Sequence, residues 1–300
     1  MIDYKMTSQH PRLGYEVCQG ISLKTLNSSQ RLALKQALWQ HGVIFARNQY
    51  MSASELEQFA QDTFGPMIMG DNRCHKEHKE HPPLPPELIS NHVAVLGNPS
   101  GPVEKPIGAG AWKWHHDKDA LPRLEGLTMN ALYIVILHMH KVPETGSDGL
   151  PHTTHFLDQL EALRSLSPER QAELRKIKLI HSPPFQTPDA WTAETPLKTQ
   201  PLVSEHPLTA REGLYMGSDT AIPVGLERDP ETARTFWKAL LDEILEKSVV
   251  YAHPWQEGDV VFWDNSQVMH CGQPYDSMNQ QRIGLRLGVV AREETALRHS

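Results

Sequence analysis

The chain of 300 residues carries 29 Lys and Arg against 36 Asp and Glu, a net charge of −7, with 39% hydrophobic and 22% charged residues. That length can bury a sizeable core, while the acidic balance gives no support to a nucleic-acid or membrane-surface role, and no apolar run reaches the ~18 residues of a bilayer span. The opening M-I-D-Y-K-M-T-S-Q-H has no hydrophobic secretion segment, and Cys18, Cys74 and Cys271 are few, odd in number and scattered, so a cytoplasmic protein is expected.

The first third alternates helix and strand. S-S-Q-R-L-A-L-K-Q-A-L-W-Q-H-G places Leu32, Leu34, Leu38 and Trp39 on an apolar helical face that Gly42 ends. Val43 to Ala46 reads as a buried strand, and Ser52 with Glu55 forms a capping box opening a helix that runs to Phe64-Gly65. From 70 to 111 the pattern dissolves into Pro, Gly and His, and a loop of that length in a compact chain is expected to be functional, here a mobile cover over the segment that follows.

Leu132 to Leu137 predicts a strand buried on both faces. A helix is expected from Phe156 to Leu166, another from Ser167-Pro168-Glu169, a loop over 182–201, and a hairpin in H-P-L-T-A-R-E-G-L-Y-M with Gly213 near its turn. Asp229-Pro230-Glu231 starts a helix through Phe236, Leu240, Leu241 and Ile244. V-V-Y-A-H-P-W-Q-E-G-D-V-V-F-W-D-N and R-I-G-L-R-L-G-V-V give two or three final strands. No repeat and no convincing linker divides the chain, so residues 1–300 are expected to form one domain with a β core and helices outside it.

The chemistry gathers in W-K-W-H-H-D-K-D-A, which begins at Trp112. His115-x-Asp117 sets two ligand types on one side of an extended segment, because strand side chains alternate faces. With 17 His in 300 residues, about one such pair arises by chance, so the pair alone decides little. Cys74-His75-Lys76-Glu77-His78-Lys79-Glu80-His81 competes as a cluster, but its lysines repel a cation and it lacks a rigid strand, so it is read as a solvated segment. G-D-V-V-F-W-D-N-S-Q-V-M-H delivers His270 from a buried strand and tight turn. Arg282 and Arg286 then stand four apart, able to enter one cavity, and two inward arginines each require an anion. An exposed edge strand would produce the same spacing.

Together, W-H-H-D, V-P-E-T-G-S-D-G, W-x-x-G-D-V-V-F-W-D-N-x-x-x-x-H and R-x-x-x-R make the chain resemble the taurine dioxygenase family of Fe(II)- and 2-oxoglutarate-dependent oxygenases. H-G-V-I-F-A-R-N-Q and F-A-Q-D-T-F-G-P extend the likeness toward the N-terminus. The resemblance implies a double-stranded β-helix, a jelly-roll core flanked by helices, with Fe(II) held by His115, Asp117 and His270. Two imidazoles and one carboxylate on one face of the ion leave positions for 2-oxoglutarate and O2. Arg282 is then expected to pair with the distal carboxylate of 2-oxoglutarate, and Arg286, Trp114 and Lys118 to face the primary substrate. The implied reaction oxidises an unactivated C–H bond of a small molecule, by hydroxylation, desaturation or cyclisation, and releases succinate and CO2.

Two departures bear on ligands. The family's Thr after the loop Asp is Gly149 here, with Thr153 a few residues on as its expected substitute. A His that taurine enzymes place six residues after the Phe of the Phe-Gly corner is Gly70, which points away from taurine while leaving other anionic or zwitterionic substrates open. Asp117 argues against an iron halogenase, where a small residue makes room for chloride. A non-enzymatic jelly-roll protein that binds metal or 2-oxoglutarate is the other alternative, and homo-oligomerisation stays open.

Overall fold

The computed structural model describes residues 4–6, 10–65, 67, 84–117, 134–182, 188–195, 197–206 and 209–290. Two short strands, β1 (Tyr4–Met6) and β2 (Tyr15–Val17), precede helix α1 (Ser28–His41). Asn27 and Gln30 cap α1 reciprocally, and Gly42 ends it at φ 68°, a left-handed conformation that costs glycine nothing. After β3 (Val43–Ala46), helix α2 (Ala53–Phe64) opens on the Ser52–Glu55 capping box. Strands β4 (Ala94–Gly97), β5 (Ile134–Lys141) and β6 (Thr153–Asp158) follow. Next come α3 (Gln159–Arg164), α4 (Pro168–Leu174), β7 (Lys178–His181), β8 (Lys198–Pro201), β9 (Val203–Glu205), β10 (Glu212–Leu214) and β11 (Ile222–Pro223). Helix α5 (Pro230–Lys247) leads to β12 (Val250–Pro254), β13 (Val260–Asp264), β14 (Val268–Gly272) and β15 (Ile283–Val289). Among the described residues no helix is long and apolar enough to cross a membrane.

Seven strands form one sheet in the order β1-β2-β3-β13-β5-β15-β4, and β12-β6-β14 form a second. Side-chain alternation sorts the apolar residues into three layers. Val43, Phe45, Val135, Leu137, Val261 and Trp263 of the large sheet meet Phe156, Tyr251 and Val268 of the small one. Ile44, Ile136, Phe262 and Leu287, on the opposite face of the large sheet, pack with α1 and α2, while Leu157 and Met269 pack with α3 and α5. Two sheets face to face with helices outside make the jelly-roll core that the motifs implied.

The structure corrects several sequence expectations. Phe156 belongs to β6, which pairs with both β12 and β14, and the helix starts only at Gln159, where the Asp158 carboxylate accepts from the Leu160 and Glu161 amides. Residues 198–201, read as loop, form β8 against β7. The hairpin turn lies between β9 and β10, and Gly213 sits inside β10, where a Cβ would stand 2.7 Å from Leu160. Within the stretch expected to be a mobile cover, Ala94–Gly97 is the edge strand of the large sheet, paired with β15, so this part is built into the scaffold. Residues 70–83 of that stretch, with His75, His78 and His81, lie outside the described residues.

Candidate metal and cosubstrate site

His115 and His270 are joined backbone to backbone. Each amide donates to the other's carbonyl at 3.0 Å, an isolated antiparallel bridge at the middle of β14. Directly opposed residues project to one face, and the two imidazoles accordingly stand 4.2 Å apart, centre to centre. Asp117, two residues past His115, returns to that face. His115 Nε2 lies 3.8 Å from Asp117 Oδ1 and His270 Nε2 3.8 Å from Oδ2. The three ligand atoms all fall within 4.8 Å of one another, the one such group among the described residues.

Each ligand is oriented by a neighbour. His115 Nδ1 lies 2.7 Å from the Lys113 carbonyl, which fixes the N–H there and leaves the Nε2 lone pair for a metal. Asn265 clamps the Asp117 backbone from both sides, accepting from its amide at 3.0 Å and donating to its carbonyl at 2.8 Å. The W-D-N turn is thus a holding device. Trp263 packs its ring 4.8 Å from that of His270, Asp264 ties the turn through Ser266 and Gln267, and Asn265 docks the first ligand segment. Burial foremost, and then His115, pushes the His270 pKa well below its ordinary value against the pull of Asp117, which keeps the imidazole in its ligating form. The donor set of two neutral-capable imidazoles and one carboxylate suits Fe(II).

The two arginines do enter one cavity. β15 turns Leu285, Leu287 and Val289 toward α2, leaving Gly284, Arg286 and Gly288 for the space between the sheets. A bulge where β15 meets β5 places its extra residue on β5, at His140, so the alternation of β15 itself is undisturbed. Arg282 and Arg286 line the same pocket as His115, Asp117 and His270, together with Leu96, Trp112, His152, Thr154 and Trp263. Arg286 Nη1 donates to Asp117 Oδ1 at 3.1 Å, so this guanidinium also steadies the Asp117 carboxylate. Among the described residues Arg282 has no carboxylate partner, and its Nε–H is buried without a hydrogen bond. Its backbone is set by Asn98, whose Oδ1 accepts from the Arg282 amide and the Tyr275 hydroxyl, each at 2.8 Å. Asn98 Nδ2 donates to the Ser277 and Gln280 carbonyls.

Two residues expected at the ligands, Thr153 and Trp114, are not among those that line the pocket. Thr153 donates its hydroxyl to Gln273 Oε1 at 2.7 Å; Thr154, one step along β6, takes the inward face and accepts from Trp255 Nε1. Trp114 packs with the apolar cluster around α5, and Trp112 is the tryptophan that lines the pocket. Lys118 lies outside the described residues. Sequence reasoning missed Asn265, Asn98 and His152. The first was visible in the W-D-N motif; the other two sit in stretches with no pattern.

The sequence pattern of the taurine catabolism dioxygenase TauD, TfdA family matches residues 5–287. The chain belongs to this family. The (S)-phenoxypropionate/alpha-ketoglutarate-dioxygenase of Sphingobium herbicidovorans is 26% identical over 94% of this chain and 94% of its own. Alkylsulfatase of Acinetobacter baylyi is 27% identical, covering 95% and 84%, and pentalenolactone F synthase of Streptomyces arenae 25% identical, covering 68% and 67%. Among solved structures, AAD-2 in complex with Mn(II) and N-oxalylglycine superposes with a TM-score of 0.72 at 22% identity, covering 98% of both chains. A taurine dioxygenase from Burkholderia xenovorans gives 0.69 at 21%, covering 97% and 89%. These likenesses show a shared fold. As a TauD/TfdA-family member the protein is an oxidoreductase, a 2-oxoglutarate-dependent dioxygenase acting on a small molecule; the family implies iron and O2 as well. The non-enzymatic alternative falls with the family assignment.

Proposed function

We propose that His115, Asp117 and His270 hold Fe(II), that Arg282 receives the distal carboxylate of 2-oxoglutarate, and that the enzyme oxidises an unactivated C–H bond of a small anionic or zwitterionic molecule. The observation that carries this reading is one pocket with three metal-type donors and an arginine that has no carboxylate partner among the described residues. A buried guanidinium without a counter-charge is costly, and a bound dicarboxylate supplies what it lacks. When bound, iron, 2-oxoglutarate and O2 supply the oxidant for C–H cleavage, with succinate and CO2 as co-products. The chain's own residues bind, orient and exclude water. His115 and Asp117 are pre-set by Lys113 and Asn265, Trp263 and Phe156 wall off His270, and Leu96, Leu137 and Trp112 give the pocket apolar surfaces.

An anionic substrate is supported by Arg286, whose Nε–H is buried without a hydrogen bond beside the metal-binding carboxylate. Two relatives carry names that point the same way, one for phenoxypropionate and one for alkyl sulfates, and pentalenolactone F synthase adds a natural-product precedent. Hydroxylation, or desaturation or cyclisation of a natural-product intermediate, is the proposed outcome. The test is succinate release by purified protein with Fe(II), ascorbate and 2-oxoglutarate, across matched carboxylates, sulfate esters, amino acids and their neutral amides or esters. Stimulation by charged members over their neutral counterparts is expected. Equal stimulation by neutral analogues would remove the anionic-substrate reading, and absence of 2-oxoglutarate turnover with every metal would remove the site assignment.

A further inference from the structure

His152 stands immediately before β6, its carbonyl accepting from the Trp255 amide at 3.2 Å, and its ring lines the pocket that Arg282 lines. Only 3% of the residue is exposed, yet Nδ1 is buried without a hydrogen-bond partner. Tyr275 makes a T-shaped contact with the ring, 5.7 Å between centres, and its hydroxyl is already committed to Asn98. Arg282, the neighbouring cation, likewise has Nε–H buried and unmatched. Buried polar groups are normally satisfied, and two unmatched nitrogen groups on one pocket wall indicate an acceptor that both would share.

We propose that His152 is a carboxylate-binding residue of this pocket, donating a ring N–H to the distal carboxylate of 2-oxoglutarate that Arg282 pairs with. The inference rests on the assignment of Arg282 to the cosubstrate. Chain geometry explains why the role falls here. Gly149 has no side chain to offer, Thr153 does not line the pocket and commits its hydroxyl to Gln273, and the strand's alternation from Thr154 outward leaves His152 as the last inward residue before the loop. Burial foremost, and the Arg282 guanidinium, hold the His152 pKa at about 3. The ring is therefore neutral at physiological pH, with one N–H and no second positive charge set against Arg282.

The experiment uses the full chain loaded with Mn(II), and calorimetric binding of two probes in the absence of turnover. N-oxalylglycine carries the distal carboxylate, and oxalate offers only the metal-chelating end. His152→Leu should weaken N-oxalylglycine about ten- to a hundredfold, the range for a hydrogen bond to a charged group, and leave oxalate unchanged. His152→Gln, which retains an N–H donor, should recover most of the loss. Wild-type affinity for N-oxalylglycine in His152→Leu overturns the proposal, as does an equal loss for both probes, or a Gln variant no better than Leu. If Arg282→Met also leaves N-oxalylglycine binding intact, the cosubstrate assignment itself fails. If Arg282→Met loses it while His152→Leu does not, only the role of His152 is refuted.

Discussion

Arg282→Met separates binding from stability in opposite directions. In the free protein the guanidinium is buried, its pKa lowered by burial, and no carboxylate among the described residues meets it. Replacing it by an apolar side chain of similar length removes an uncompensated buried charge, so the free variant should melt no lower than wild type and is expected to melt higher. With ligand the sign reverses. Breaking a buried pair by removing one member costs about 3–5 kcal/mol, which raises Kd by roughly two to four orders of magnitude. At a ligand concentration of about 100 Kd the wild type gains about 2.7 kcal/mol, or roughly 5 °C in Tm for a chain of this size. At the same concentration a variant with Kd raised a hundredfold gains only about 0.4 kcal/mol, below about 1 °C. Thermal melts of the Mn(II)-loaded protein with and without N-oxalylglycine read both effects. A variant that melts well below wild type when free, yet keeps the full ligand shift, would refute the reasoning.

Alanine at His115, Asp117 or His270 should each abolish succinate formation while leaving the far-ultraviolet circular dichroism unchanged, because all three project from a scaffold held by other contacts; activity in all three would remove the metal assignment. Asn265→Ala should lower Fe(II) affinity about ten- to a hundredfold by releasing the Asp117 backbone, measured by anaerobic metal titration. Stability should fall as pH drops from about 6.5 toward 4. Burial lowers the pKa of His41 to about 4, and of His138 and His152 to about 3, so the unfolded chain takes up protons there that the folded one refuses. Each group contributes about 1 kcal/mol of loss by pH 5.5, and urea melts of wild type and His138→Gln at pH 7 and 5.5 should show a smaller drop in the variant.

Much of the site was legible because its chemistry is rare and its spacing follows strand alternation. His115-x-Asp117 and Arg282-x-x-x-Arg286 each place two functional groups on one face, and the structure keeps both alternations. The helices with reciprocal caps, at Asn27–Gln30 and Ser52–Glu55, were equally readable, since a cap is a local event. What failed depended on distant partners. T-T-H-F-L-D runs straight into a helix, and only pairing with β12 and β14 makes it a strand. Without that assignment the phase of Thr153 against Thr154 was undetermined, and it is Thr154 that lines the pocket. Ala94–Gly97 was hidden among prolines and glycines because it is short, and its pairing partner lies nearly two hundred residues later. Trp112 and Trp114 share one motif, and which of them faces the pocket depends on packing around α5 that no local pattern encodes.

The contact between Arg286 and Asp117 has a consequence for charge balance. Among the described residues that line the pocket, the ionic side chains are Asp117, Arg282 and Arg286, one negative and two positive, with His152 and His270 held neutral by burial. On the proposed loading, a divalent metal and a dicarboxylate cancel each other, which leaves the pocket a single positive charge. Water-poor surroundings make that excess expensive, and a substrate bearing one negative charge brings the enclosed volume to neutrality. A cationic substrate would double the excess. If the site is filled as proposed, electroneutrality favours a singly anionic substrate, and changing Arg286 to a neutral residue is expected to shift the preferred substrate charge by one.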